Sequence, residues 1–144
     1  MSDAVTDIVP RLATGGWLTL ARLASHQLDY SPFVWAHNPD LTLLINGGDM
    51  FVSRCIEEGT AKELFDGVNQ ETVFTAIDFE TETFHKQDAE ETAYFKDYLQ
   101  TVKDAGLRVF LLEYGAGEVL AREIDTYCKE SGFQWYNAQT LNLE

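Results

Sequence analysis

The chain is poor in basic residues: 10 Lys and Arg stand against 24 Asp and Glu, for a formal net charge of −14. Surfaces that neutralise phosphates, in nucleic acid or in anionic lipid, are built from clustered cations. Neither nucleic acid nor a membrane is therefore expected as a partner. The plainer reading of the acidity is solubility; adaptation to salt, or a cationic partner such as an amino-sugar polymer, also fits the charge. Cysteine is scarce, with only Cys55 and Cys128. Neither has a C-x-x-C neighbour or a metal-ligand spacing, so no metal site and no cofactor is expected. Two free thiols in a reducing compartment is the simplest reading, and a single disulfide between them stays open. No apolar run reaches the roughly 20 residues of a bilayer span. The acidic start, Met1 to Asp7, lacks the basic-then-apolar pattern of a secretion leader. As written, the chain is expected in the cytoplasm.

What is present is a foldable composition, with 45% hydrophobic residues in 144. That length implies one domain with a real core. Residues 1–40 read as a helical and loop segment. Val5, Ile8, Val9 and Leu12 give helical spacing over 2–13, with Pro10 a kink. Gly15-Gly16 breaks the chain, and 17–27 reads as a second short helix. Pro32 and Pro39 mark 30–40 as loop. His26, His37 and His85 have no partner at metal-ligand spacing and read as surface residues.

Residues 41–144 read as strands alternating with helices. Strands are expected over 41–46, 66–74, 107–112 and 133–137. Helices are expected over 50–65 with a break at Gly59, over 88–105, and over 118–131. Asp88 and Glu91 resemble a capping box. Tyr94, Phe95, Tyr98, Leu99 and Val102 form one apolar stripe expected in the core. Residues 78–85 carry three alternating carboxylates without EF-hand spacing and read as a solvated loop. Strand-helix alternation implies parallel strands joined by right-handed crossovers.

Polar residues gather where these strands end: Asn46 and Asp49, Glu71, Glu113 and Tyr114, and Asn137. In parallel α/β folds that edge binds ligands. Glu71 draws most attention, since Asn69 and Gln70 stand beside it where a doubly buried strand carries Val or Ile; the plainer reading is that it caps a following turn in water. The plainer reading of Asp49 is an N-cap for the helix after it. Trp17, Trp35 and Trp135 have the shape to stack on sugar rings, although Trp135 reads as core.

Four blocks resemble the glycoside hydrolase family 114 barrel, the endo-α-1,4-polygalactosaminidase-like family. They are Pro39-Asp40-Leu41-Thr42-Leu43-Leu44-Ile45-Asn46-Gly47, Asp66-Gly67-Val68-Asn69-Gln70-Glu71-Thr72-Val73-Phe74, Gly106-Leu107-Arg108-Val109-Phe110-Leu111-Leu112-Glu113-Tyr114, and Ser131-Gly132-Phe133 through Leu141. Their order is similar to the second half of that TIM-type (β/α)8 barrel. The resemblance implies a half-barrel of about four strands and a polysaccharide or oligosaccharide substrate. It implies Glu71 as catalytic acid, Asn46 as the strand-five asparagine of the cleft, and Tyr114 as the tyrosine after strand seven. Position 113 departs, holding Glu113 where the family usually shows aspartate. The family's other acid is implied on a strand that would precede Met1, and secretion is implied if an N-terminal part is missing. Asp49 and Glu113 are the local substitutes.

Two readings stay open. One is a glycosidase acting on an amino-sugar polymer through Glu71. The other is a non-catalytic half-barrel that binds carbohydrate or self-associates, with a second copy as partner half-barrel, because a half-barrel exposes strand edges.

Overall fold

The computed structural model describes residues 40–143. The two helices expected over 2–13 and 17–27 lie outside the described residues, as do His26, His37, Trp17 and Trp35. In chain order the elements are β1 (Leu44–Asn46), α1 (Asp49–Glu57), α2 (Ala61–Leu64), β2 (Gly67–Glu71), β3 (Thr75–Asp78), β4 (Thr83–Lys86), α3 (Ala89–Asp104), β5 (Arg108–Tyr114), α4 (Glu118–Ser131) and β6 (Gln134–Ala138).

Four strands form one sheet in the order β1-β2-β5-β6. Every neighbouring pair is parallel, as the alternation predicts. Gly67 lies between Leu44 on one side and Arg108 on the other. A Cβ at Gly67 would sit 2.4 Å from the Arg108 carbonyl oxygen, so only glycine allows the strands to close there.

Residues 66–74, expected as one strand, divide. β2 ends at Glu71, and Thr72 takes a left-handed φ of 56° that turns the chain away. A hairpin then forms where a solvated loop was expected: β3 and β4 pair antiparallel, with Ile77 opposite Phe84. The carboxylates that suggested a loop build its tip. Asp78 Oδ1 accepts from the N–H groups of Glu80 and Thr81 at 2.9 and 3.1 Å, closing an Asx-type turn.

Helix starts also depart from expectation in detail. Gly48, not Asp49, is the N-cap of α1, with φ 70°. Asp88 caps α3 by accepting from Glu90 N–H at 2.8 Å, and the return bond expected from Glu91 is made instead by Gln87 Oε1 to Asp88 N–H. In α3, Tyr98, Leu99 and Val102 are buried, whereas Tyr94 is exposed and donates its hydroxyl to Asp49.

The core lies on the helix-covered side of the sheet. Ile45, Val52, Phe65, Leu99, Leu111 and Ile124 are fully buried there. Each such side chain contributes about 1.5–3 kcal/mol relative to exposure. Cys55 and Cys128 belong to this cluster as free buried thiols. Trp135 packs against it from partial burial. No helix among the described residues is long and apolar enough to cross a membrane.

Candidate functional site

Side chains on a strand alternate between faces, and here the alternation sorts the polar residues into two groups. In β5, Val109, Leu111 and Glu113 are buried toward the helices, whereas Phe110, Leu112 and Tyr114 alternate with them on the other face and line a cavity that Leu111 also borders. The parallel register carries that second face across the sheet. Asn46 pairs with Asn69, Glu71 with Leu112, and Leu112 with Tyr136. The cavity they line, together with Leu44, Gln134, Leu141 and Leu143, measures about 840 Å³.

Glu71 is the focus of this face. It is the last residue of β2, as Asn46 is of β1 and Tyr114 of β5. Parallel pairing therefore brings the three to one edge of the sheet. Asn46 Nδ2 donates to Glu71 Oε1 at 3.2 Å, and the Tyr114 hydroxyl donates to Oε2 at 3.0 Å. Asn69 Nδ2 in turn donates to Asn46 Oδ1 at 2.8 Å, which fixes the Asn46 amide with its nitrogen toward Glu71. Both carboxylate oxygens are thus held from different strands while the side chain keeps partial access to solvent.

Tyr114 is buried and stacks at 5.8 Å against Phe84 of the hairpin. Burial, then the nearby Glu71 charge and the hydrogen bond to it, push the Tyr114 hydroxyl up to about 12. It remains a proton-bearing donor throughout the neutral range.

Glu113 lies on the opposite face, fully buried. Oε1 accepts from Val73 and Phe74 N–H at 3.0 and 3.1 Å, and Oε2 from Thr75 N–H at 2.9 Å and the Thr75 hydroxyl at 2.6 Å. Burial pushes its carboxyl up, and the four donors oppose that. The structure therefore does not bring Glu113 to Glu71 as a second cleft carboxylate. One residue's difference in the pleat turns it inward, where it clamps the turn that follows Glu71. Asn137 is displaced for the same reason. It pairs with Glu113 and spends its amide on Ala116 N–H and C=O, both at 2.9 Å. Asp49 also points elsewhere, in the first turn of α1 toward Tyr94 of α3.

Of the six site residues expected from the sequence, Glu71, Asn46 and Tyr114 come together. Asp49, Glu113 and Asn137 do not join them. Asn69 and Tyr136 are among the cavity residues outside the six. Counting by twos from Glu71 finds Asn69, whereas Tyr136 is placed on this face by its pairing with Leu112 and carries no comparable signal in the sequence. Among the described residues, Glu71 is the one carboxylate lining the cavity, and no group of three or more His, Cys, Asp or Glu side chains is placed to hold a metal ion.

Comparison with known proteins places the fold. No family model matches the chain, and no curated protein does. The solved glycoside hydrolase domain of PelA from Pseudomonas aeruginosa is similar, with a TM-score of 0.60 and 15% identity over 81% of this chain. A point variant of that domain matches with a TM-score of 0.60 and 14% identity over the same share. The matched region is 44% of each of those chains, so this chain spans less than half of their length. The mixed α/β fold, with its four-stranded parallel sheet, resembles that of a glycoside hydrolase domain.

Proposed function

We propose that this chain is the second half of a TIM-type barrel of the glycoside hydrolase family 114 kind, and that Glu71 acts as the acid in hydrolysis of an amino-sugar polymer. The observation that carries the reading is Glu71 itself, held at both oxygens by Asn46 and Tyr114 at the C-terminal ends of β1, β2 and β5, where these residues line a cavity that runs along one face of the sheet. That is the edge where barrel enzymes place their chemistry. A general acid needs its carboxyl oriented before the bond breaks. A tyrosine hydroxyl both donates and accepts, so the Tyr114 contact survives when Glu71 carries the proton to be delivered. The likeness to a solved glycoside hydrolase domain supports the same reading.

One observation favours a second reading. Glycoside hydrolysis ordinarily uses two carboxyl groups about 5–10 Å apart, and the described cavity lining supplies one. The second must come from outside the described residues or from another chain. Without it, the same cavity binds carbohydrate and does not cleave it.

Incubation with galactosamine oligomers separates the two. New reducing ends that disappear in Glu71→Gln support hydrolysis. Binding without new ends supports the binding module. An absence of both binding and cleavage rejects both readings.

A further inference from the structure

Among the described aromatic side chains that line the cavity, Tyr136 is the exposed one, and the catalytic reading leaves it unused. It is 53% exposed although it lies on the cavity face of β6 and not on the outer surface of a helix. Its position relative to Glu71 is fixed by the sheet. Glu71 pairs with Leu112, and Leu112 pairs with Tyr136, so the three side chains form one row across β2, β5 and β6. Two inter-strand spacings separate the ends of that row, about 10 Å, which is roughly the length of a disaccharide.

The surroundings of the ring suit a sugar. Phe110 and Leu112 on β5, with Leu141 and Leu143 from the chain after β6, give the cavity an apolar wall around Tyr136. Gln134, two residues earlier and on the same face, is exposed and offers both a donor and an acceptor. Binding sites for small molecules combine these parts: aromatic and aliphatic walls with a few polar groups that set orientation. A pyranose has an apolar C–H face and a rim of hydroxyl or amino groups, and so matches an aromatic ring lying beside an amide. Leu112 lies between Tyr136 and Glu71 and places an apolar side chain between the two, on the same face of the sheet.

We infer that the Tyr136 ring is a stacking platform for a sugar unit next to the one whose bond meets Glu71, with an oligomer of amino sugars as the ligand. This rests on the carbohydrate reading above. The platform serves hydrolysis and plain binding equally, and its contribution is to affinity and to the register of the polymer.

The test is calorimetric titration of galactosamine oligomers into wild type, Tyr136→Phe, Tyr136→Leu and Tyr136→Ala, each checked for an intact fold by circular dichroism. Tyr136→Phe keeps the ring and is expected to bind as wild type does. Tyr136→Leu keeps apolar bulk without a ring and guards against failure of the alanine variant to fold. Tyr136→Leu and Tyr136→Ala are expected to bind roughly three- to tenfold more weakly. If wild type turns over, the loss falls on KM and leaves kcat. Wild-type binding that is unchanged in the leucine and alanine variants, or equally weakened in Tyr136→Phe, overturns the stacking platform and leaves the carbohydrate reading standing. A wild type that neither binds nor cleaves any oligomer overturns the carbohydrate reading, and the platform with it.

Discussion

The Tyr114 hydroxyl donates to Glu71 Oε2 at 3.0 Å across the β2–β5 pairing. The bond joins the last residues of two neighbouring parallel strands, and it sets the carboxyl plane from one side as Asn46 does from the other. Hydrogen bonds to a charged partner are worth about 1.5–3 kcal/mol. On the proposed hydrolysis, Tyr114→Phe is therefore expected to lower kcat/KM for oligomer cleavage roughly 10- to 100-fold with the fold retained. Reducing-end assays beside circular dichroism measure both.

The same pair gives a pH dependence with a definite sign. Tyr114 is pushed up to about 12 from an ordinary tyrosine value of about 10, so the folded protein keeps this proton where the unfolded chain releases it. The stability that results is whole below about pH 10 and is lost as pH rises through about 12. Denaturant midpoints across the alkaline range are expected to fall less steeply in Tyr114→Phe than in wild type. In Glu71→Gln the Tyr114 phenolate is expected to appear at lower pH, because the neighbouring negative charge is gone. Difference absorbance against the Phe variant isolates that step.

Glu113 is expected to behave as a stability residue. Its two oxygens satisfy three consecutive backbone N–H groups and a hydroxyl. Glu113→Gln turns an amide NH2 toward those donors and is expected to cost about 2–3 kcal/mol. The denaturant midpoint measures this. Because the clamp holds residues 73–75, just beyond Glu71, any loss of the proposed sugar binding is expected to accompany the loss of stability.

Tyr98 offers a change of the opposite sign. Its hydroxyl is buried with no hydrogen-bond partner among the described residues. Tyr98→Phe removes the unsatisfied group and keeps the packing, so it is expected to leave stability unchanged or raise it by up to about 1 kcal/mol. Thermal melts decide this, and a clear loss of stability contradicts it.

Gly67→Ala is expected to destabilise the sheet by about 1–3 kcal/mol, because its Cβ would sit 2.4 Å from the Arg108 carbonyl oxygen in the neighbouring strand. Denaturant unfolding provides the value.

The repeat of strands and helices was legible because hydrophobic runs such as residues 107–112 stand between well-marked helices, and parallel order follows from that alternation. The hairpin was not legible. Its tip is built by Asp78, and its sides carry Thr83, His85 and Lys86, so polarity concealed a pairing held chiefly by backbone bonds. In the site, the sequence pointed to Glu71, Asn46 and Tyr114 by their place at strand ends. It did not separate them from Glu113 and Asn137, because the expected β5 strand stopped at 112 and treated Glu113 and Tyr114 alike as residues beyond the strand. The strand in fact runs to Tyr114. Once both residues lie inside a pleated strand, they must face opposite ways.

That last point gives the chain's length here as much weight as its composition. Insertion or deletion of one residue between positions 108 and 112 would reverse the pleat at its C-terminal end. The tyrosine would then be driven into the helix layer, and the carboxylate that anchors the turn would be turned out beside Glu71. Two negative groups would crowd one hollow, and three amides would lose their acceptor together. Related chains are expected to vary freely in length at the hairpin tip and to keep this seven-residue segment free of gaps.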